Sequence, residues 1–227
     1  MKDGLLENVR SAGHWRINIR PVRPLPEKLS LAQCRTLVHG SSVELRGWDF
    51  PHIHRGRDEF GGSENNDGFY AEWTDWYVHH EFWRMYQSGQ FLSYMAMWED
   101  REEFNGAPNK PFLSIEGVIY LFTEIVEFAS RLSQAASFQD GVSISITGNV
   151  LRNRRLWVGR NRMPFFDPKV TKAETVEVSG ALQNDLAATP AVDVSLKLIK
   201  EFFDRFGWTP ADDQIRGDQE RLLRREL

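Results

Sequence analysis

One short segment brings histidine and carboxylate side chains close together, the run Gly-Trp-Asp-Phe-Pro-His-Ile-His at residues 47–54. If this segment is extended, His52 and His54 project to the same side, because side chains on a strand alternate with a period of two. With Asp49 they form a candidate set for binding zinc, iron or manganese, or for acid–base catalysis. The structural alternative is that Asp49 caps a turn and His52 bonds a buried carbonyl group. Since His-x-His is frequent by chance, the sequence predicts no bound metal and no cofactor, and these three residues stay as candidates.

A second group is a cluster of arginines around Trp157, in a stretch without acidic residues between Gly141 and Phe166. Guanidinium groups bind phosphates in a bidentate manner and stack on bases, so the cluster is a candidate nucleic-acid-binding site. On an extended chain, Arg152, Arg154 and Arg160 share a face. The alternative is an exposed hairpin whose arginines pair with carboxylates elsewhere. The candidate residues are Arg152, Arg154, Arg155, Trp157 and Arg160, with Arg162 nearby.

Aromatic residues are concentrated between Trp48 and Trp98, a stretch that holds half of all those in the chain. They predict either an aromatic core or a groove for a ligand with flat faces, such as a base or a sugar. Phosphate-loop, dinucleotide-binding and nucleophile-elbow motifs are absent from the sequence. The single cysteine, Cys34, excludes an intramolecular disulfide and favours a reducing compartment.

The hydrophobic pattern predicts an α+β fold, with a mixed or mainly antiparallel sheet, about four packed helices and a C-terminal surface helix. A stripe of apolar residues at helical spacing, with Ser114 as N-cap, predicts the clearest helix over residues 115–132. Further helices are expected over 26–38, with Gly40 as its stop, over 74–88, which Gly89 would end, and from Pro190 to Gly207. Strands are expected over 14–22, 43–48, 69–73, 90–98, 142–147, 155–158 and 175–182, and the polar stretch 54–68 is expected to be a loop.

Length and composition fit one globular domain. The chain has 227 residues, a net charge of −4 and 41% hydrophobic residues, which argues against disorder and against a strong overall field for nucleic acid or membrane. No apolar run reaches the length of a membrane span. Residues 1–208 are expected to form the domain. The segment 209–227 has few apolar residues and is expected to form a surface or connector helix.

Two segments, Leu-Arg-Gly-Trp-Asp-Phe-Pro-His-Ile at 45–53 and Glu-Phe-Trp-Arg-Met-Tyr-Gln-Ser-Gly-Gln-Phe at 81–91, resemble a group of poorly characterised bacterial proteins. Some of those proteins occur beside Schlafen-type AlbA domains or with mobile-element and phage-defence genes. The resemblance covers about the first 100 residues and implies a bacterial accessory or sensor domain. It transfers no catalytic residue.

The leading hypothesis is a non-catalytic binding or interaction module of a bacterial system, in which the C-terminal helix docks a protein partner or a second copy of the chain. The first alternative is a nucleic-acid-binding protein that uses the arginine cluster and Trp157. The second is a metal-dependent hydrolase or nuclease centred on Asp49, His52 and His54. In each case the sequence predicts a cytoplasmic location without membrane attachment.

Overall fold

A seven-stranded antiparallel sheet organises the computed structural model, which describes residues 2–56, 59–101, 111–159, 162–183 and 189–226. The strands lie in the order β2-β3-β4-β5-β1-β7-β9, and a short parallel pair, β6-β8, lies outside this sheet. The strands of the sheet are β1 (His14–Pro21), β2 (Gly61–Asn66), β3 (Phe69–Trp76), β4 (His79–Tyr86), β5 (Phe91–Ala96), β7 (Val142–Asn149) and β9 (Thr175–Leu182). The separate pair is β6 (Phe112–Ser114) and β8 (Arg155–Trp157).

Helices cover one face of the sheet and most of the core lies beneath them. This layer consists of α2 (Leu31–Ser41), α3 (Ile115–Ser133), α4 (Ala191–Asp204) and α5 (Asp212–Leu223). In the described part of the chain, the helix on the opposite face is α1 (Leu5–Arg10), whose Leu5 and Val9 pack on Phe82. The α+β class with an antiparallel sheet is confirmed. Within the described ranges, every helix is too short or too polar to cross a bilayer.

The helix predicted over residues 115–132 is confirmed as α3. Its N-cap and its row of buried apolar side chains explain why the segment is helical. The Ser114 hydroxyl accepts a hydrogen bond from the Gly117 amide at 3.1 Å. Ile119, Phe122 and Ile125 are fully buried in the main core. The predicted strands at 14–22, 142–147 and 175–182 are likewise present, because one face of each is buried and the other is solvated.

The predicted helix over residues 74–88 is wrong, since the segment forms the β3–β4 hairpin. Trp76, His80 and Trp83 have helical spacing, but β4 is covered on both sides near its centre, by α1 on one face and by the core on the other. Phe82 and Trp83 are therefore both buried, and the alternation typical of a strand is lost. Gly89 ends no helix and instead takes a positive φ of 85° in the β4–β5 turn.

Other boundaries also differ. The second helix begins at Leu31, where Ser30 and Gln33 form a capping box, and Gly40 lies inside it. The predicted strand at 43–48 is reduced to a single bridge between Val43 and Phe50. Part of the predicted loop 54–68 pairs with β3 as β2.

The C-terminal helix lies at the surface, and its inner side is more buried than the sequence indicated. Ile215 and Leu222 are fully buried, and the polar side chains of Asp218 and Gln219 are buried beside them. Gln219 donates to the Ser195 hydroxyl at 2.7 Å. The helix is thus attached to α3 and α4 by polar contacts as well as by apolar ones.

Candidate functional site

A cavity of about 500 Å³ opens between residues 44–56 and the end of β3. Its lining includes Trp48, Asp49 and His52 from the segment, together with Phe60 and Trp76. The Val43–Phe50 bridge closes the segment into a loop, and Phe50 anchors it by packing against Phe91 and Phe128. The cavity therefore lies on a segment that is fixed to the core.

Asp49 and His52 form a close pair in the wall of this cavity. His52 Nδ1 lies 2.5 Å from Asp49 Oδ1, and Asp49 Oδ2 accepts a bond from the Ile53 amide at 3.4 Å. The indole of Trp83 fixes the loop further by donating to the His52 carbonyl oxygen at 2.8 Å. A carboxylate on Nδ1 orients an imidazole and selects its tautomer, which leaves Nε2 for other work. The pair can bind a polar group of a ligand or move a proton.

Trp48 is held between two imidazole rings. Its ring centroid lies 3.8 Å from that of His52 and 3.6 Å from that of His79, with all three planes nearly parallel. Two parallel rings at such distances from one centroid must lie on opposite faces, so neither face of Trp48 is open to a ligand. The rings that remain exposed at the cavity are Trp76 (47%) and Phe60 (38%), whose centroids are 6.4 Å apart.

Glu81 supports this stack from behind. Its Oε1 accepts a hydrogen bond from Trp48 Nε1 at 2.6 Å, and its side chain is buried on β4. Burial raises the pKa of Glu81 to about 7, because the charged form loses its hydration. Burial likewise lowers the pKa of His79 to about 4 and keeps this imidazole neutral. Behind the cavity wall, the Glu81 carboxyl group is therefore about half ionised at pH 7, whereas the His79 ring is neutral.

The arginines at the cavity are compensated by acids. Arg46 binds Glu124 through two hydrogen bonds of 2.9 and 2.8 Å, and Arg55 pairs with Glu44. Burial raises the pKa of Glu124, while Arg46 acts in the opposite direction. The cavity thus offers apolar rings and a near-neutral wall, with the Asp49–His52 pair as its distinct polar feature.

His54 does not join His52. The segment is not an extended strand, and the His54 ring turns toward Gly61, where an added Cβ would lie 2.3 Å from its Nδ1. His54 Nε2 is buried, and no described residue forms a hydrogen bond with it. Within the described ranges, no group of three or more histidine, cysteine, aspartate and glutamate side chains is arranged to hold a metal. His52 and His54 therefore do not share one side, as they would in an extended segment, and the two rings do not converge with a carboxylate.

A polar cluster behind the cavity was missed from the sequence. Glu72, buried on β3, has His39 Nε2 at 2.5 Å and accepts bonds from the Tyr70 hydroxyl at 2.6 Å and the His54 amide at 3.1 Å. Burial and the neighbouring carboxylate raise the pKa of Tyr70 to about 12. The available signal was the polar residue Glu72 at an inward position of β3, because a carboxylate facing the core needs partners.

The arginine cluster is divided between separate environments. Arg154 is 1% exposed, and its guanidinium binds both carboxylate oxygens of Asp100 at 2.8 and 2.7 Å and the Phe112 carbonyl oxygen at 2.8 Å. This guanidinium is therefore not accessible to a phosphate, which corrects its assignment as a nucleic-acid-binding residue. Arg152 is exposed and lies 3.2 Å from Glu174.

The other described residues of the arginine cluster do not share a face with Arg152 and Arg154. Asn153 has a left-handed φ of 62°, so the chain turns instead of extending through the cluster. Arg155 and Trp157 are half-buried in β8, where Trp157 packs edge-on against Phe112 at 5.3 Å. Arg162 pairs with Asp218, and Arg160 lies outside the described residues. The shared strand face expected for Arg152, Arg154 and Arg160 is not formed by the first two.

Comparison with models of known protein families, with curated proteins and with solved structures gives no match for this chain.

Proposed function

We propose that this protein is a binding module that holds a small ligand with a flat, unsaturated ring in the cavity beside residues 44–56. The observation that carries the proposal is the pair of exposed rings, Trp76 and Phe60, at the wall of a 500 Å³ cavity. Small-molecule sites are usually concave, mostly apolar and within roughly 300–1,000 Å³. Aromatic rings bind flat ligands by stacking, and the cost of leaving these rings in water is removed on binding.

The Asp49–His52 pair supplies the polar contact that fixes the ligand's orientation. Asp49 holds His52 Nδ1, so the imidazole is positioned before the ligand arrives. The near-neutral wall favours an uncharged ligand, because Arg46 and Arg55 already have carboxylate partners. A neutral heterocycle with a hydrogen-bonding group fits these features.

The wider setting stays a prediction. A role in a bacterial accessory or defence system rests on the two segments at 45–53 and 81–91, and a partner for the C-terminal helix rests on its exposed outer side. A reducing cytoplasm is the compartment we propose. Cys34, the single cysteine, is buried, and burial raises its thiol pKa to about 11, which favours an unreactive thiol.

The 2.5 Å contact between Asp49 and His52 also favours a second candidate function, acid–base catalysis on the bound ligand. The metal-dependent form of this hypothesis is weakened, because His54 is turned away from His52. Replacing His52 by glutamine separates the two functions. A binding module keeps its ligand chemically unchanged in wild type and variant alike, whereas an enzyme shows turnover that the variant loses.

The experiment that tests the binding function screens purine, pyrimidine, indole, nicotinamide and flavin compounds by saturation-transfer NMR. We expect at least one compound to bind wild type and to bind Trp76→Ala at least tenfold more weakly. Phe166→Ala is the matched control, because it removes a fully exposed ring outside the cavity lining. Absence of binding to wild type, or equal loss in the control, would overturn the proposal.

A further inference from the structure

The sheet face opposite the main helix layer has an unusual distribution of charge. Register pairing places Arg16 beside Tyr94 and Thr147, and Arg84 beside Leu92, so these arginines project from the same face. Arg20 follows on this face of β1. At the outward positions of the four central strands β4, β5, β1 and β7, the sequence provides these three arginines and no aspartate or glutamate. The flanking strands β2, β3 and β9 place Glu64, Asp75 and Glu177 on the same face.

These arginines lack the acidic partners found elsewhere in the protein. Across the ranges that the structure describes, no carboxylate lies within ion-pair distance of Arg16, Arg20 or Arg84. The Arg20 guanidinium donates to the side-chain oxygen of Asn18, which carries no charge. The Nε atoms of Arg16 and Arg84 are buried and have no hydrogen-bond partner among the described residues. These three guanidinium groups therefore have no ion-pair partner among the described residues, although Glu177 of β9 lines one groove with Arg16 and Arg20.

Aromatic rings accompany the charges. The guanidinium of Arg84 lies over the rings of Phe69 at 4.8 Å and Phe82 at 5.5 Å. Phe69 and Tyr86 are half-buried neighbours on adjacent strands, with centroids 5.4 Å apart. Because α1 covers only the area around Phe82, these two rings stay partly open to solvent. The face thus combines guanidinium groups with surfaces on which a planar group can stack.

The dimensions suit an extended anionic polymer. Arg16 and Arg20 are four residues apart on one strand, which separates them by about 13 Å. Arg84 is two strands from β1, which adds a lateral distance of about 10 Å. The three guanidiniums therefore form a line or triangle too wide for one small anion. Several phosphates of one chain could contact them together.

We propose that this open sheet face binds single-stranded nucleic acid, with Arg16, Arg20 and Arg84 on the phosphates and Phe69 and Tyr86 against bases. A single strand is favoured over a duplex, because ring stacking requires unstacked bases. The site is separate from the cavity, which lies on the helix side of β3. It is also separate from the cluster at residues 152–162, where the structure neutralises or buries most of the arginines that it describes.

The test is fluorescence anisotropy of a labelled 12-nucleotide oligouridine RNA, titrated with the full chain between 50 and 200 mM salt. The variant Arg16→Gln/Arg84→Gln should bind at least tenfold more weakly than wild type. Its plot of log affinity against log salt should lose about 1.4 units of slope, since each phosphate contact on a single strand contributes about 0.7. The control Arg152→Gln/Arg224→Gln removes the same charge from exposed residues on other elements and should change affinity less than twofold.

Two outcomes would overturn the proposal: wild type does not bind the RNA, or the control loses as much affinity as the variant. Binding of wild type to phosphatidylserine vesicles without binding to the RNA is a case of the first outcome. Thermal unfolding of each variant checks that it is folded. If the double variant does not fold, Arg20→Gln replaces it, because Arg20 is exposed, and should weaken binding at least threefold. Trp76→Ala should retain full RNA affinity, which separates this test from that of the cavity.

Discussion

Two regions have residue types that predict chemistry: the cavity beside residues 44–56 and the arginine cluster at 152–162. In the folded protein, side chains of the first region are accessible, whereas charges of the second are paired or buried. At the cavity, Trp76 and Phe60 stay exposed, and the Asp49–His52 pair lines the open space. In the arginine cluster, Arg154 is buried against Asp100, and Arg162 pairs with Asp218. The same kind of sequence signal therefore led to an open site in one case and to structural ion pairs in the other.

The difference shows that the density of charged residues along the chain is a poor measure of available charge. Asp100 and Asp218 lie 54 and 56 residues from the arginines they neutralise. Conversely, Arg16, Arg20 and Arg84 are dispersed in the sequence and are brought to one face only by strand pairing. Whether a charged side chain stays accessible therefore depends on the oppositely charged residues that folding brings next to it.

The largest expected effect is on stability, at Arg154. Replacing Arg154 by alanine leaves Asp100 and the Phe112 carbonyl without their shared donor. We expect a loss of about 3–5 kcal/mol in the free energy of unfolding, as for other broken buried ion pairs. Urea denaturation measures it. A loss below about 1 kcal/mol would show that this arginine is not structural and would reopen the cluster as a binding site.

A smaller effect is expected from Glu81→Gln, and it depends on pH. The folded-state pKa of Glu81 is about 7, above its ordinary value of 4.5, so the folded protein retains a proton that the unfolded chain loses. The stabilisation from this group is full below pH 4.5 and is lost as pH rises through 7. Glutamine does not titrate and can still accept the Trp48 bond.

The stability of Glu81→Gln relative to wild type should therefore increase between pH 5 and pH 8, by about 2 kcal/mol. Urea unfolding at both pH values measures the change. Wild type alone is a poor reporter, because the lowered pKa of His79 makes stability rise with pH between about 4 and 6.5 and opposes the trend from Glu81. A difference between variant and wild type that is constant with pH would contradict the raised pKa of Glu81 in the folded protein.

The smallest effect is expected at Arg152, the exposed member of the cluster. Its contact with Glu174 is a surface ion pair, which contributes about 0–1 kcal/mol. Arg152→Gln should therefore change the free energy of unfolding by less than about 0.5 kcal/mol in the same urea assay. A loss comparable to that of Arg154→Ala would remove the contrast between the buried and exposed arginines.

Much of the fold could be predicted because most elements have one buried side. The stripe of α3 and the alternation in β1 and β7 directly reflect this geometry. The β3–β4 hairpin could not be predicted in this way, because Phe82 and Trp83 are buried on opposite faces of one strand. The hydrophobic pattern of β4 itself does not indicate that α1, near the N-terminus, covers the face of β4 that carries Phe82.

In the candidate site, contacts between residues close in sequence could also be predicted, whereas contacts between distant residues could not. Asp49 and His52 are three residues apart in a turn, so their pairing depends on local structure that the sequence could indicate. The stacking of Trp48 on His79 and the contact of His39 with Glu72 join residues about thirty positions apart. Those contacts depend on sheet register and helix placement, which no short motif contains.

The most direct test of the cavity as the functional site is an NMR titration of the indole N–H signals of the eight tryptophans. The compound that binds best in the ring-compound screen is added to isotope-labelled wild-type protein, with assignments made by single substitutions. We expect the Trp76 and Trp48 signals to shift in saturable fashion, while the signals of Trp15 and Trp208, which lie outside the cavity lining, do not. Shifts confined to Trp15 or Trp208, with Trp76 unchanged at saturation, would contradict this expectation.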